Sequence, residues 1–324
     1  MKKIAVALLL MCVQNSYSAL KDTLQNEHRF QKYAYLIKDL GEEYCDACGC
    51  SANGGSMGFG SMLNDDFIGV RYVYQKYTTK EGVFNNSPWI EENFNTIQFW
   101  SRIPLTSHIQ LMALIPFHNN NRLLNTGYEN RSGLGDITVV GLYTFFQSKK
   151  DSLSNYSHKV QLGGGLKAPT GKFDESNSGT LNPSFQLGTG SWDYLFITEY
   201  VIKRQQSGLN MAFSYTYKTE NQKHYQFGNQ LNYSVTLFHL LHWNHINFVP
   251  QIGLAEEVTA SNRQFQQDVV GTKGDVLFSK LGLEVGKGRF SLGMNAMLPL
   301  KQNLTDGNVK AKYRVAVNLN YIFQ

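Results

Sequence analysis

The sequence predicts an all-β fold, an antiparallel transmembrane β-barrel of about 12 strands. The segment from Lys310 to Phe323 alternates polar and apolar residues along its length, as a strand with one wet and one apolar face does. Similar segments recur from residue 66 onwards, and their connections alternate between short and long. Short turns at one end and longer loops at the other are typical of outer-membrane barrels. A Greek-key sandwich has no reason to show that alternation, so the barrel is the favoured interpretation.

Residues 1–18 have the pattern of a secretory signal peptide. Lys2 and Lys3 form a charged start, Ile4 to Val13 form an apolar core, and Ser16 and Ser18 suit a cleavage site. Export combined with a barrel predicts the outer membrane of a Gram-negative bacterium. Beyond this leader no apolar run reaches about 18 residues, which argues against membrane-spanning helices.

Residues 19–65 form an N-terminal segment ahead of the predicted barrel, which occupies residues 66–324. Leu20 to Leu40 has roughly helical apolar spacing and is followed by Gly41, so a short periplasmic helix is expected. A tract rich in Gly, Ser and Met follows at residues 51–61. Its glycines would let it pack closely against a barrel wall, as a plug would.

The amphipathic segments define the strands in chain order. They are expected near residues 66–78, 94–105, 107–118, 134–146, 158–168, 192–203, 207–218, 224–238, 244–256, 274–286, 288–299 and 310–323. The tight connections are expected near Thr106–Ser107, Gln205–Gln206, Leu241–His242 and Lys287, and the longer ones at 79–93, 119–133, 169–191 and 257–273. With an even strand count, both termini would then face the periplasm.

In each strand the polar residues occupy alternate positions, and the charged residues among them are expected to face the lumen, where they would set ion selectivity. These candidates are Arg71, Arg102, Asp136, Lys167, Glu199, Lys280, Glu284 and Arg314, with Lys218 and Lys312 at the same alternate positions. Because the first and last strands of a closed barrel pair, Arg71 and Arg314 are expected to lie close together. The alternative is that the charges form mutual salt bridges that fill a narrow lumen.

One motif, CxxCxC, has distinctive chemistry, and it is made by Cys45, Cys48 and Cys50. With Cys12 removed in the leader, three thiols remain, which suits one disulfide and one free thiol in an oxidising compartment. Three thiolates would also suit Cu(I) or Zn(II), with Met57 or Met62 as a thioether ligand for copper. No other cofactor is expected, and copper or zinc handling is the alternative function.

A barrel-embedded lipid hydrolase is the third hypothesis, and the sequence argues against enzymatic activity. Such an enzyme needs a Ser and a His on one strand face, oriented by a third polar group. Ser107–His108 and Ser157–His158 are consecutive pairs, so their side chains point to opposite faces of a strand.

Two further features bear on partners. His239, His242 and His245 lie beside Trp243 at a predicted tight turn, which favours an aromatic girdle at the membrane interface over a metal site. No basic and aromatic nucleic-acid motif occurs, so no nucleic-acid partner is expected. The expected partners are outer-membrane lipid, a small-molecule solute and the barrel-assembly machinery.

Three ordered motifs carry a resemblance to a known family. Residues 132–137 are SGLGDI, residues 163–172 are GGGLKAPTGK and residues 186–193 are QLGTGSWD. Together they resemble the outer-membrane barrel family named after the MetA pathway of phenol degradation, over roughly residues 66–324. The resemblance implies a channel or transporter-like protein that passes small molecules, and it identifies no substrate. In physical terms the motifs suit strand ends, where Gly and Pro turn the backbone and polar residues meet water.

Overall fold

The computed structural model describes residues 61–63, 65–80, 88–124, 127–148, 156–173 and 185–322. The leader, the expected N-terminal helix and the cysteine motif lie outside these residues. The described chain forms a closed antiparallel barrel of 12 strands, as the sequence predicts. No helix among the described residues is long and apolar enough to cross a membrane.

The barrel strands are long. In chain order they are β1 (Phe67–Lys80), β2 (Trp89–Pro104), β3 (Ile109–Leu124), β4 (Ile137–Gln147), β5 (Tyr156–Ala168), β6 (Asp193–Arg204), β7 (Ser207–Lys218), β8 (Gln230–His239), β9 (Ile246–Thr259), β10 (Gly274–Lys287), β11 (Phe290–Leu304) and β12 (Val309–Ile322). Every strand pairs with its sequence neighbours, and β12 pairs with β1 from Phe67↔Ile322 to Thr79↔Val309. That last pairing closes the sheet and leaves no free edge.

The two rims of the barrel differ in their connections. The short-turn rim carries the tight turns, such as the one at Gly288, whose positive φ of 58° suits a two-residue hairpin. The long-loop rim carries the remaining connections, including a small sheet formed by Tyr225–Gln226, Arg263–Gln264 and Gln267–Asp268. Because β1 begins and β12 ends at the short-turn rim, both ends of the barrel chain lie there.

The side chains alternate between the lumen and the outer wall. In β12, Asn318 and Asn320 face inward and are buried, whereas Val317 and Leu319 face outward and are exposed. Exposed aromatic side chains ring the apolar band at both rims. Near the long-loop rim they include Trp89, Trp192, Tyr194, Tyr217, Tyr233 and Tyr313, and near the short-turn rim Phe145, Phe146, Tyr156, Trp243 and Phe290. Such paired girdles mark the two membrane interfaces of an outer-membrane barrel.

The strands extend further than the sequence pattern indicates. Residues 119–133 are expected to be a loop, but β3 continues to Leu124 and pairs with a strand at Gly127–Leu134. Residues 79–93 are also partly strand, because β2 already begins at Trp89. Both extensions lie at the long-loop rim, where polar residues replace the apolar face that makes a strand recognisable in sequence.

The expectation that Lys312 faces the lumen is wrong. The register between β1 and β12 shifts at this point, because Lys76 pairs with Tyr313 while Tyr77 pairs with Ala311. Lys312 is the extra residue of this β-bulge, and its side chain is exposed on the outside. The bulge lets Ala311 and Arg314 both face inward although they are three positions apart.

Candidate functional site: a lumen lined with charged side chains

The candidate site is the lumen itself, whose wall carries buried charges at several heights. Nearest the short-turn rim, Arg102 of β2 donates from Nη2 to both carboxylate oxygens of Glu199 of β6, at 2.7 Å each. These strands are not neighbours in the wall. The ion pair therefore crosses part of the lumen and occupies space that an open pore would leave to water.

A second ion pair lies higher in the barrel. Arg314 of β12 donates from Nη1 to Glu257 Oε1 at 2.7 Å and from Nη2 to the Tyr77 hydroxyl at 3.1 Å. Its guanidinium carbon also lies 4.9 Å from the centroid of the Phe278 ring. The arginine is held by charge, hydrogen bonding and ring contact together.

A third group lies towards the long-loop rim. Arg122 donates to Glu92 at 3.0 Å and to Glu129 at 2.7 Å, and its guanidinium carbon lies 4.3 Å from the Phe185 ring centroid. Sequence reasoning missed Arg122 and Glu92, because both lie in stretches that lack clear alternation. Their burial on the inward face adds them to the charged lining.

The three motifs of the family resemblance meet in one cluster. Lys167 Nζ lies 3.2 Å from Asp136 Oδ2 and 2.5 Å from Asp193 Oδ2. Asp136 also accepts hydrogen bonds from the backbone N–H groups of Gly171, at 3.0 Å, and Thr189, at 2.9 Å. Asp136 directly precedes β4, Lys167 lies near the end of β5 and Asp193 begins β6, so the cluster joins the long-loop ends of these three strands.

Arg71 and Lys280 are the other lumen cations named by the sequence. Arg71 donates from Nη2 to Gln98 Oε1 at 2.7 Å, and its guanidinium carbon lies 4.2 Å from the Trp100 ring centroid. Arg71 pairs with Asn318 across the strands, whereas Arg314 pairs with Gln75, so the two arginines are two inward positions apart. Lys280 is buried on the inward face of β10.

Glu284 of β10 binds the chain segment that precedes β1, here called the mouth segment (residues 61–63, 65 and 66). The carboxylate accepts a short hydrogen bond from the Ser61 hydroxyl and bonds from the backbone N–H groups of Met62, at 2.9 Å, and Leu63, at 3.3 Å. Ser291 Oγ of β11 donates to the same carboxylate at 3.0 Å. The mouth segment is thus fastened to the wall on this side.

The other end of the mouth segment is fastened to the opposite part of the wall. Asp65 pairs with Lys159 of β5 at 2.9 Å, and Asp66 accepts a hydrogen bond from Gln110 of β3 at 2.6 Å. Partial burial raises the pKa of the Asp65 carboxyl, but the positive charges of Lys159, Arg102 and Lys203 more than offset this and hold the pKa below its ordinary value. The mouth segment therefore crosses the short-turn rim from β10 to β3 and β5.

All eight lumen candidates from the sequence are buried in the described barrel, and they are Arg71, Arg102, Asp136, Lys167, Glu199, Lys280, Glu284 and Arg314. The structure brings Arg102 together with Glu199 and Lys167 together with Asp136, and it pairs Arg314 with a residue that the sequence did not single out. Their effect on ion selectivity stays a prediction.

The structure bears on the metal hypothesis and on the enzyme hypothesis in different ways. Cys45, Cys48, Cys50 and Met57 lie outside the described residues, and within those residues no group of three His, Cys, Asp or Glu side chains could hold a metal ion. Two Ser–His pairs are hydrogen-bonded through their side chains in the described barrel, both at the short-turn rim. Ser207 Oγ and His239 Nδ1 lie 2.8 Å apart across β7 and β8, a pair that sequence reasoning missed, and no third described residue hydrogen-bonds to the His239 ring. Ser107 Oγ and His108 Nδ1 also lie 2.8 Å apart. The expectation that these two side chains point to opposite strand faces is wrong, because both residues lie in the turn between β2 and β3 and not in a strand.

A closed 12-stranded barrel with an apolar outer band, two aromatic girdles and a polar lining is a bacterial outer-membrane barrel. The chain belongs to the family described as "Putative MetA-pathway of phenol degradation", whose model matches residues 89–290. That match covers most of the barrel and confirms the resemblance carried by the three motifs.

Two solved structures are similar to this chain, and the first of them shares its fold. An outer-membrane channel from Pseudomonas putida F1 is 14% identical to this chain, with a TM-score of 0.57 over 82% of this chain and 98% of that chain. The β domain of the Bordetella autotransporter BrkA is 8% identical, with a TM-score of 0.46 over 80% of this chain and 100% of that chain. No curated protein matches the sequence.

Proposed function

We propose that the protein is a channel of the outer membrane that passes small molecules and has no enzymatic activity. The observation that carries this proposal is the lining: polar and charged side chains follow the inward face from the short-turn rim to the long-loop rim. A barrel that served only as an anchor would gain more stability from a lumen filled with apolar side chains, because buried charges are costly to desolvate. Membership of the family and the likeness to a channel fold support the same proposal.

Ion pairs span part of the lumen, and we propose that passage is controlled at the short-turn rim. The mouth segment lies across that rim and is held at Glu284 by three of its own donors and at Lys159 by one ion pair. A few hydrogen bonds of this kind contribute about 1.5–3 kcal/mol each when one partner is charged. Such contacts can break and re-form, so the segment can move aside without unfolding the barrel.

The orientation is part of this proposal. We place the short-turn rim, with both chain ends and the mouth segment, in the periplasm and the long-loop rim outside the cell. Single cysteines at Asp268 and at Gly288 test it in intact cells with a membrane-impermeant maleimide. Labelling at 268 alone is the expected result, and labelling at 288 alone would reverse the orientation.

Conduction is tested in planar lipid bilayers with the purified full-length protein. Glu284→Gln weakens the hold on the mouth segment and should raise the fraction of time that the channel is open. Ser291→Ala is the matched control, because it removes another hydrogen bond to Glu284 without touching the mouth segment. A folded protein that conducts in neither form would overturn the channel proposal.

A further inference from the structure

Lys280 is the exception among the buried lumen charges. Lys280 is only 3% exposed, yet its ammonium group makes no hydrogen bond or ion pair with any residue that the structure describes. Other cations of the lumen have such partners: Arg102 has Glu199, Arg122 has Glu92 and Arg314 has Glu257. Because a buried ammonium without a partner is strongly unfavourable, an anion that reaches this part of the lumen would be stabilised by Lys280.

A second buried cation acts on this position. Arg71, on the inward face of β1, repels Lys280 electrostatically, because both groups are positive. Arg71 is held flat by the Trp100 ring and by Gln98, so it does not turn away from this part of the lumen. Two fixed like charges facing the same space attract an anion more strongly than either does alone.

Small and amide side chains of β11 and β12 line the wall near the two cations. Arg71 pairs with Asn318, Asn318 with Gly293 and Gly293 with Glu284, whose carboxylate is already bound by the mouth segment and Ser291. Asn295 pairs with Gly282, the inward position next to Lys280. A Cβ at Gly282 would lie 2.3 Å from Asn295 Oδ1, and one at Gly293 would lie 2.5 Å from Asn318 Oδ1. The glycines therefore let the asparagine side chains lie along the wall instead of filling the lumen. Their amide groups add neutral hydrogen-bonding groups to the wall near the cations.

We propose that Lys280 and Arg71 form a binding site for a small oxyanion, a carboxylate or a phosphate, inside the lumen. The inference rests on the proposed channel function and names the class of solute that the channel would favour. An oxyanion would accept a hydrogen bond from the Lys280 ammonium and offset the repulsion between the two cations. Arginine adds a planar donor that matches the same oxygen atoms. A single weak site of this kind raises the local anion concentration without trapping the solute.

Binding is measured first, without reference to conduction. Isothermal titration calorimetry of the purified full-length protein uses benzoate and inorganic phosphate as probes, with benzamide as the uncharged analogue of benzoate. We expect saturable binding of at least one anion and none of benzamide. Lys280→Met should weaken that binding by about tenfold or more, the effect of losing one charge-assisted hydrogen bond.

Two variants keep the binding test interpretable. Lys312→Met removes the same charge on the outer wall and should leave the affinity unchanged. Lys280→Arg keeps a cation at the site and should retain binding. This variant provides the test of the site if the methionine variant fails to fold. Affinity that survives Lys280→Met, or that falls equally with Lys312→Met, would overturn the site. Binding of phosphate alone or benzoate alone identifies which oxyanion the site takes.

Reversal potentials in planar bilayers under a salt gradient separate this inference from the channel proposal. If the protein conducts and Lys280→Met leaves the anion-to-cation preference unchanged, the inference fails and the channel stands. If bilayers stay silent while calorimetry shows Lys280-dependent binding, the channel proposal fails and the oxyanion site stands. A preference that shifts towards cations in Lys280→Met supports both.

Discussion

Arg314 of β12 and Glu257 of β9 form a bidentate ion pair between strands that are not neighbours in the barrel wall. The Nη1–Oε1 distance is 2.7 Å and the Nη2–Oε2 distance is 3.2 Å. Arg102 and Glu199 make the same kind of link between β2 and β6. These links brace the wall from inside, and they also narrow the path that a solute would follow.

The first prediction concerns the energetic role of this brace. Glu257→Gln keeps the shape but leaves the buried guanidinium without its carboxylate, so the free energy of unfolding should fall by about 3–5 kcal/mol. The double variant Glu257→Leu/Arg314→Met removes both charges together and should recover most of that loss. Urea unfolding in lipid vesicles, followed by tryptophan fluorescence, measures both. A single variant as stable as the native protein would show that the pair carries no net stabilisation.

The second prediction concerns the assignment of faces in β12. Leu319 is exposed on the apolar outer band, so Leu319→Arg should impair folding into the membrane at a cost of about 2–4 kcal/mol near the midplane. Asn318→Ala, on the inward face, is the control and should fold normally. Heat-modifiable migration in gels reports the folded barrel in each case. Equal behaviour of the two variants would contradict the assigned faces.

The third prediction concerns pH at the mouth segment. The pKa of Asp65 in the folded protein lies below its ordinary value of 3.8, chiefly because the Lys159 charge outweighs the effect of partial burial. For a depressed pKa, the stabilisation is present above the ordinary value and is lost as pH falls through the folded value. The Asp65–Lys159 contact should therefore persist from pH 7 down to about pH 4 and weaken only below it.

Carboxyl NMR chemical shifts of Asp65 measure this titration directly. Lys159→Met should move the midpoint upwards, because it removes the largest favourable charge. Lys203→Met should move it less, since Lys203 contributes last among the described cations. If Lys159→Met leaves the midpoint unchanged, the ion pair does not hold the mouth segment.

The sequence predicts the strands of the barrel wall better than the contacts between side chains inside the lumen. Period-two alternation identifies all 12 strands, because a strand between lipid and lumen must alternate. It does not reveal which inward residues meet, since the stagger between strands sets the height of each side chain and no pattern encodes it. Arg102 and Glu199 are therefore recognisable singly but not as a pair.

The two errors about the strands have different physical origins. Residues 119–133 include a strand pair at the long-loop rim, where outward-facing residues such as Asn119 and Asn121 are polar like the inward-facing ones, so the alternation disappears from the sequence. Lys312 continues the polar phase of its segment, but the bulge shifts the phase by one residue and turns its side chain outwards. The signal that could have located the bulge is Ala311, an apolar residue between Lys310 and Lys312 that leaves room inside the barrel.

The fourth prediction concerns the cysteines that precede the mouth segment, which lie outside the described residues. Cys48 and Cys50 are separated by one residue, and a disulfide across so short a loop is strained. Cys45 paired with Cys48 or Cys50 is the better match and leaves one thiol over. A copper or zinc site instead needs thiolates that stay reduced, which an oxidising compartment opposes unless the site is protected.

We expect protein isolated from the outer membrane without reductant to carry one disulfide and one free thiol in this motif. Thiol alkylation followed by mass spectrometry counts the free thiols, and elemental analysis of the same sample measures bound metal. Cys45→Ser should leave the barrel folded, because every residue of the barrel wall lies outside the motif. About one equivalent of copper or zinc in the native protein, lost when the three cysteines are replaced by serine, would contradict the disulfide and establish the motif as a soft-metal site.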